Sequence, residues 1–179
     1  MQYGLGIPLP PHYAQLVAQF RADATEWALR PMRSDAHTSI KGPAGLDNGQ
    51  NILTTVREIA SSTAPFPIQL TAPALFVAEP IRYLGVESLG WWRLHRALLD
   101  TISVRTGAEM HPWEIKGWVP HMTILRAKPE LADRRDELID GATRALSPFP
   151  LFEANILRMY RQEHSQARWV ALHEFAIGG

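Results

Sequence analysis

Two histidines in this chain stand where they could move protons on one substrate. His37 and His121 each precede a hydroxyl by two residues, in His37-Thr38-Ser39-Ile40 and His121-Met122-Thr123-Ile124. Imidazole is the side chain that gives and takes a proton near neutral pH without special tuning. Along a strand, residues i and i+2 face the same way, so His37 shares a face with Ser39 and His121 with Thr123. A hydroxyl beside the ring can donate to a phosphate oxygen. Two such units facing each other supply an acid, a base and two anion-holding hydroxyls, which is what phosphodiester cleavage requires. One ring takes the proton of the attacking oxygen and the other protonates the departing alkoxide, each transfer typically contributing about 10²–10⁴ in rate.

Cations beside the site would stabilise charge on the phosphorus-bound oxygens. Lys41 continues the strand face of His37 and Ser39. Ideal alternation sets Arg126 on the face opposite His121, so it reaches the same site only if a bulge or the strand's end turns it inward. Both are candidate phosphate-binding residues with Ser39 and Thr123. No metal-ligand cluster stands out, so no metal and no cofactor is expected.

The other histidines (His12, His95, His111, His164 and His173) read as surface or locally satisfied groups, with His111 notable for its place in the loop before the second motif. Trp91, Trp92, Trp113, Trp118 and Trp169 can stack on a nucleobase, yet aromatics at helix and strand periodicity usually belong to the core. Tyr160-Arg161, at a strand end, is a candidate for the cleft mouth.

One His-x-Ser/Thr match is roughly what chance supplies in a chain with seven histidines. Repetition raises these two above that level. The second motif follows the first by 84 residues, and Pro65-Phe66-Pro67 recurs 83 residues on as Pro148-Phe149-Pro150. A weaker echo relates Arg82-Tyr83-Leu84 to Arg168-Trp169-Val170.

The elements that must position the motifs repeat as well. A strand over Tyr3–Pro8 leads through Pro11, suited to a first helical turn, into a helix whose apolar stripe runs to about Leu29. A strand over Asp35–Lys41 stops at Gly42-Pro43, a helix spans Asn51–Ser61, and a strand lies within Ile68–Ala78. The second set is a strand at Ile81–Val86, a helix capped by Ser88 and stopped by Gly107, the strand Trp118–Arg126, a helix over Leu131–Leu146, and strands at Leu151–Tyr160 and Arg168–Ile177. The expectation is a single two-lobed α+β domain over residues 1–179, built of duplicated β-α-β-α-β units (approximate repeats 1–79 and 80–179) with antiparallel sheets around a central cleft.

Composition sets the outer bounds. The chain has 179 residues, 46% hydrophobic and 20% charged, which suits one globular domain. Formal net charge is zero, so no duplex DNA partner is expected. Among 18 basic residues 15 are Arg, whose planar fork fits phosphate oxygens, although a GC-rich genome is the better explanation of such a bias. Cysteine is absent, which removes thiolate chemistry and disulfides. With no apolar run long enough for a bilayer and no secretory pattern in Met1–Pro11, a cytoplasmic monomer without membrane contact is expected.

The paired motifs, about eighty residues apart in a duplicated chain, resemble the two-histidine (2H) phosphoesterase superfamily. Within it, Gly6-Ile7-Pro8-Leu9-Pro10 and Pro120-His121-Met122-Thr123-Ile124-Leu125-Arg126 are similar to bacterial 2′-5′ RNA ligase-like (LigT-like) proteins. The resemblance implies hydrolysis of 2′,3′-cyclic phosphates of RNA ends or nucleotides to 2′-phosphates, with reversible 2′-5′ joining in some members. It implies His37 and His121 as the acid–base pair, and Ser39 and Thr123 as the phosphate-holding hydroxyls. Ser39 stands where Thr is frequent, and Ala36 where Pro is often found; neither removes a needed group. The alternative is a non-catalytic RNA- or nucleotide-binding module of the same fold.

Overall fold

The computed structural model describes residues 1–46, 50–76 and 81–179. The expected strand end at Ala78 and the boundary between repeats at 79/80 lie outside them. In chain order the elements are β1 (Gln2–Pro8), α1 (Pro11–Asp23), β2 (His37–Lys41), α2 (Gln50–Ser62), β3 (Phe66–Leu75), β4 (Ile81–Glu87), α3 (Leu89–Thr106), α4 (Pro112–Lys116), β5 (His121–Arg126), α5 (Arg135–Leu146), β6 (Leu151–Ala154), β7 (Ile156–Gln162) and β8 (Val170–Ala176). The fold is α+β, as expected.

Among the described residues the strands form one sheet in the order β6-β3-β4-β5-β2-β1-β7-β8. Every pairing is antiparallel. Read outward from the centre, β2-β1-β7-β8 mirrors β5-β4-β3-β6, so the two histidine strands are equivalent and adjacent. Each side draws strands from both repeats, because β3 lies beside β4 while β7 lies beside β1. The strand expected over Leu151–Tyr160 breaks at Asn155 into β6, paired with β3, and β7, paired with β1. One extended segment thus touches both ends of the sheet, which curls into a half-barrel.

Core residues explain the elements. Thr38 and Ile40 on β2, and Met122 and Ile124 on β5, are fully buried, leaving the alternate residues on the other face. Helix α3 carries Trp91, Leu94, Leu98 and Ile102 inward, starts at Ser88, whose hydroxyl accepts from Trp91 N, and ends on left-handed Gly107. Helix α1 stops at Asp23 rather than Leu29, its apolar stripe continuing through a 3₁₀ turn at Ala24–Glu26. Similarly, Pro129–Arg134 is a 3₁₀ turn ahead of α5, which starts at Arg135 and not Leu131. The short α4 has no sequence periodicity to announce it; His111 caps it through a box with Glu114.

Candidate active site

Strands β2 and β5 meet at the centre of the sheet through only two Cα pairs, Thr38 with Met122 and Ser39 with His121. One step further sets His37 opposite Thr123. Directly opposed residues project from the same face, so two rings and two hydroxyls form a quadrangle with each ring facing the other motif's hydroxyl. The rings are diagonal neighbours, a spacing of roughly 7–8 Å between backbones, which leaves room for one tetrahedral phosphate.

Both imidazoles are held in the same way. His37 Nδ1 lies 2.8 Å from the carbonyl of Asp35, and His121 Nδ1 2.6 Å from the carbonyl of Val119. A carbonyl only accepts, so Nδ1 carries the proton in each ring and Nε2 is the nitrogen able to exchange one. His37 Nε2 sits 3.4 Å from Ser39 Oγ. Their surroundings differ. The His37 ring stacks on buried Tyr160 with centroids 4.4 Å apart, whereas His121 meets Phe76 and Tyr83 edge-on. Burial, followed by the charge of Arg21, pushes the His37 pKa down to about 4, against the raising effect of the Asp35 carbonyl. His37 is therefore neutral at physiological pH. Gly6, opposite Ser39 on β1, makes the space for that ring, since a Cβ there would lie 2.5 Å from His37 Cδ2.

A cavity of about 370 Å³ is lined by His37, Ser39, His121, Thr123 and Arg126 together. Arg126 arrives there through a β-bulge. On β4, Arg82 pairs with Leu125 and the next residue, Tyr83, with Thr123, so Ile124 is the extra residue. Ile124 and Leu125 both turn into the core, and Arg126 returns to the face of His121.

Lys41 is placed otherwise. It borders the cavity, but its ammonium is buried and donates to Gly42 O, Ala44 O and Glu114 Oε1 at 3.0, 2.8 and 2.8 Å. All three donors are committed, and none remains for a phosphate. The strand-face argument for Lys41 fails because β1 pairs Gly6 with Ser39 and Leu5 with Lys41, so Ile40 is an extra residue that breaks the alternation. The ion pair then holds the buried ammonium. That pair ties the end of β2 to α4, whose Glu114 also accepts from Gly42 N.

Sequence reasoning missed most of the cavity's cations. Among the described residues, Arg21, Arg30 and Arg33 line it with Arg126, against one lining carboxylate, Asp35, which Arg168 holds at 2.7 Å. A chain of zero net charge thus has a locally positive site. Arg21 is on α1, four residues after buried Val17 and three before buried Ala24, so a cation at the edge of the apolar stripe is the signal that could have found it. Tyr160, Trp113, Trp118 and Trp169 also line the cavity. His111 is the α4 cap, His95 is buried between Trp91 and Trp118, and His12, His164 and His173 are exposed. Among the described residues no group of three or more His, Cys, Asp or Glu could hold a metal ion.

The model of the 2′-5′ RNA ligase superfamily matches residues 8–166. The chain belongs to that superfamily. No curated protein sequence matches it. Its fold is similar to that of TT0787 of Thermus thermophilus (17% identity, 100% of this chain and 99% of that one, TM-score 0.71). It is also similar to E. coli LigT complexed with NADP+ (17% identity, 99% and 98% covered, TM-score 0.67) and with 3′-AMP (15%, 99% and 98%, TM-score 0.64). At such identities the likeness speaks for the fold alone. Among the described residues no helix is long and apolar enough to cross a membrane.

Proposed function

We propose that this protein is a cyclic phosphodiesterase that hydrolyses 2′,3′-cyclic phosphates of RNA ends or nucleotides to 2′-phosphates by two-histidine acid–base catalysis without a metal. The observation that carries the reading is the pair of Nδ1-anchored rings, with Ser39, Thr123 and Arg126, around one cavity. Neutral His37 takes a proton from water through Nε2 as the water oxygen attacks phosphorus. The bond to the 3′-oxygen breaks, and His121 Nε2–H protonates that oxygen. Ser39, Thr123 and Arg126 hold the non-bridging oxygens, where charge builds. That E. coli LigT has been crystallised with 3′-AMP, NADP+ and ATP supports a nucleotide in the corresponding cavity here. A cytoplasmic monomer is the setting this reading assumes.

The test is turnover of 2′,3′-cyclic nucleotides and cyclic-ended RNA in excess EDTA. Wild type should be active, and His37→Ala and His121→Ala should each lose about 10²-fold or more. Wild-type rates in both variants would refute the assignment. A cyclic substrate with sulfur as the leaving atom needs little protonation, so it should restore His121→Ala but not His37→Ala; the reverse pattern would exchange the two roles. With a 5′-hydroxyl in place of water as the attacking oxygen, the same groups would join a cyclic end to it as a 2′-5′ linkage, the 3′-oxygen again leaving. Incubating such fragments together and looking for a longer product tests that direction.

A further inference from the structure

The seam between β2 and β5 is where the two histidine motifs meet, and two Cα pairs are little to hold it. Pairs β1–β2 and β4–β5 on either side have four and five. One side chain of the cavity wall reaches across to both sides of the seam. Arg21, in the last turn of α1, donates Nε–H to Ile124 O at 2.8 Å, one terminal nitrogen to Thr123 O at 2.7 Å, and the other to Ser34 O at 3.0 Å. Two of these acceptors are the extra residue of the β5 bulge and the residue before it, and the third precedes His37 by three residues. A bulge leaves its extra residue outside the ladder, and a buried carbonyl there requires a donor. A guanidinium presents its donors in a rigid planar fork, which a lysine cannot reproduce. Burial lowers the Arg21 pKa to about 10, which still leaves it charged.

We propose that Arg21 is a positioning residue of the phosphodiester site: its guanidinium ties β5 to the segment that leads into β2, sets the separation of the two histidine motifs and holds the bulge that turns Arg126 into the cavity. This rests on the function proposed above. Arg21 acts on backbone carbonyls, so it shapes the site without being one of the reacting groups.

The test compares wild type, Arg21→Lys, Arg126→Ala and the double variant, with folding followed by thermal melting. Arg21→Lys keeps the charge and loses the fork. A displacement of about 1 Å can cost about 100-fold in rate, so kcat should fall by about that factor while KM stays within about threefold. The double variant should lose much less than the product of the two single losses, because the clamp acts partly through Arg126. Wild-type kcat in Arg21→Lys, a change confined to KM, or fully multiplicative losses would each overturn the proposal.

Binding of inorganic phosphate, followed by NMR of the histidine rings, reads the same geometry without turnover. Both rings should respond in wild type, and in Arg21→Lys one ring should stop responding while phosphate affinity stays within about threefold. A wild type that binds phosphate between the rings yet turns over no cyclic phosphate would remove the functional reading and leave the clamp standing. A response of both rings to phosphate in Arg21→Lys as in wild type would remove the clamp. Should the substituted chain not fold, the wild-type Arg21 Nε–H signal decides. Held on Ile124 O, it should exchange slowly and stay put as phosphate is added, whereas a large phosphate-induced shift would make Arg21 a ligand contact.

Discussion

At the residue scale the two imidazoles share an anchor and differ in their neighbours. Each donates Nδ1–H to the carbonyl two residues before it, yet only His37 lies flat on a buried tyrosine near an arginine. That difference fixes the sense of a pH effect. A free imidazole begins to protonate as pH falls past about 6.5, whereas His37 resists until about 4. The acid limb of kcat/KM, which reports the base of the free enzyme, should therefore lie well below 6. Tyr160→Ala lets water reach the ring, raises its pKa and should move that limb toward 6.5; an unmoved limb would show that stacking does not set it. Stability carries the same sign. Between about 4 and 6.5 the unfolded chain binds a proton at His37 that the native state refuses, so this contribution is complete above 6.5 and is lost as pH falls toward 4. In urea melts from pH 4 to 7, His37→Asn should flatten the rise of stability with pH.

At the element scale, space and buried charge bring the strands into working order. Gly6 is where β1 must pass close beneath the His37 ring, which is fixed by its Nδ1 bond and by Tyr160. Gly6→Ala should displace the ring and cut kcat by about tenfold or more, as misplaced reacting groups do, while leaving the melting temperature within a few degrees. An Ala variant with wild-type kcat would show that the ring has room to move. The Lys41–Glu114 pair joins β2 to α4, and both side chains are fully buried. Removing one partner of such a pair strands the other charge, at a cost of about 3–5 kcal/mol. Glu114→Ala should show a loss of that size in denaturant melts. Lys41→Met should cost less than Lys41→Ala, because its apolar stem fills the space.

At the scale of the whole molecule, duplication and exchange of strands make the site inseparable from the complete sheet. Strand β3 belongs to the first repeat but pairs with β4 and β6, and β7 of the second repeat pairs with β1. A fragment of residues 1–79 keeps β1 and β2 without β7, and one of residues 80–179 keeps β4 and β6 without β3. Neither fragment should give a cooperative thermal transition alone, and mixing them should restore one. Cooperative unfolding of either fragment by itself would show that a repeat is self-sufficient.

What the sequence determined by itself is local or repeated. Strand alternation puts His37 with Ser39 and His121 with Thr123, because a two-residue period is a property of the backbone. The 84-residue offset makes the motifs equivalent positions in a duplicated α+β chain. Tertiary structure decided whatever depends on a partner distant in the chain. Alternation placed Lys41 toward the site and Arg126 away from it. An extra residue in β2 turned the first into the core, where a carboxylate 73 residues on holds it, and an extra residue in β5 turned the second inward. Arg21 reaches carbonyls more than 100 residues away. A helix pattern can set Arg21 beside the buried stripe but cannot name its acceptors, since they exist only when α1 packs against the joined strands. The histidine–hydroxyl pairs were legible because their spacing is local, and the cationic shell around them was not because packing assembles it.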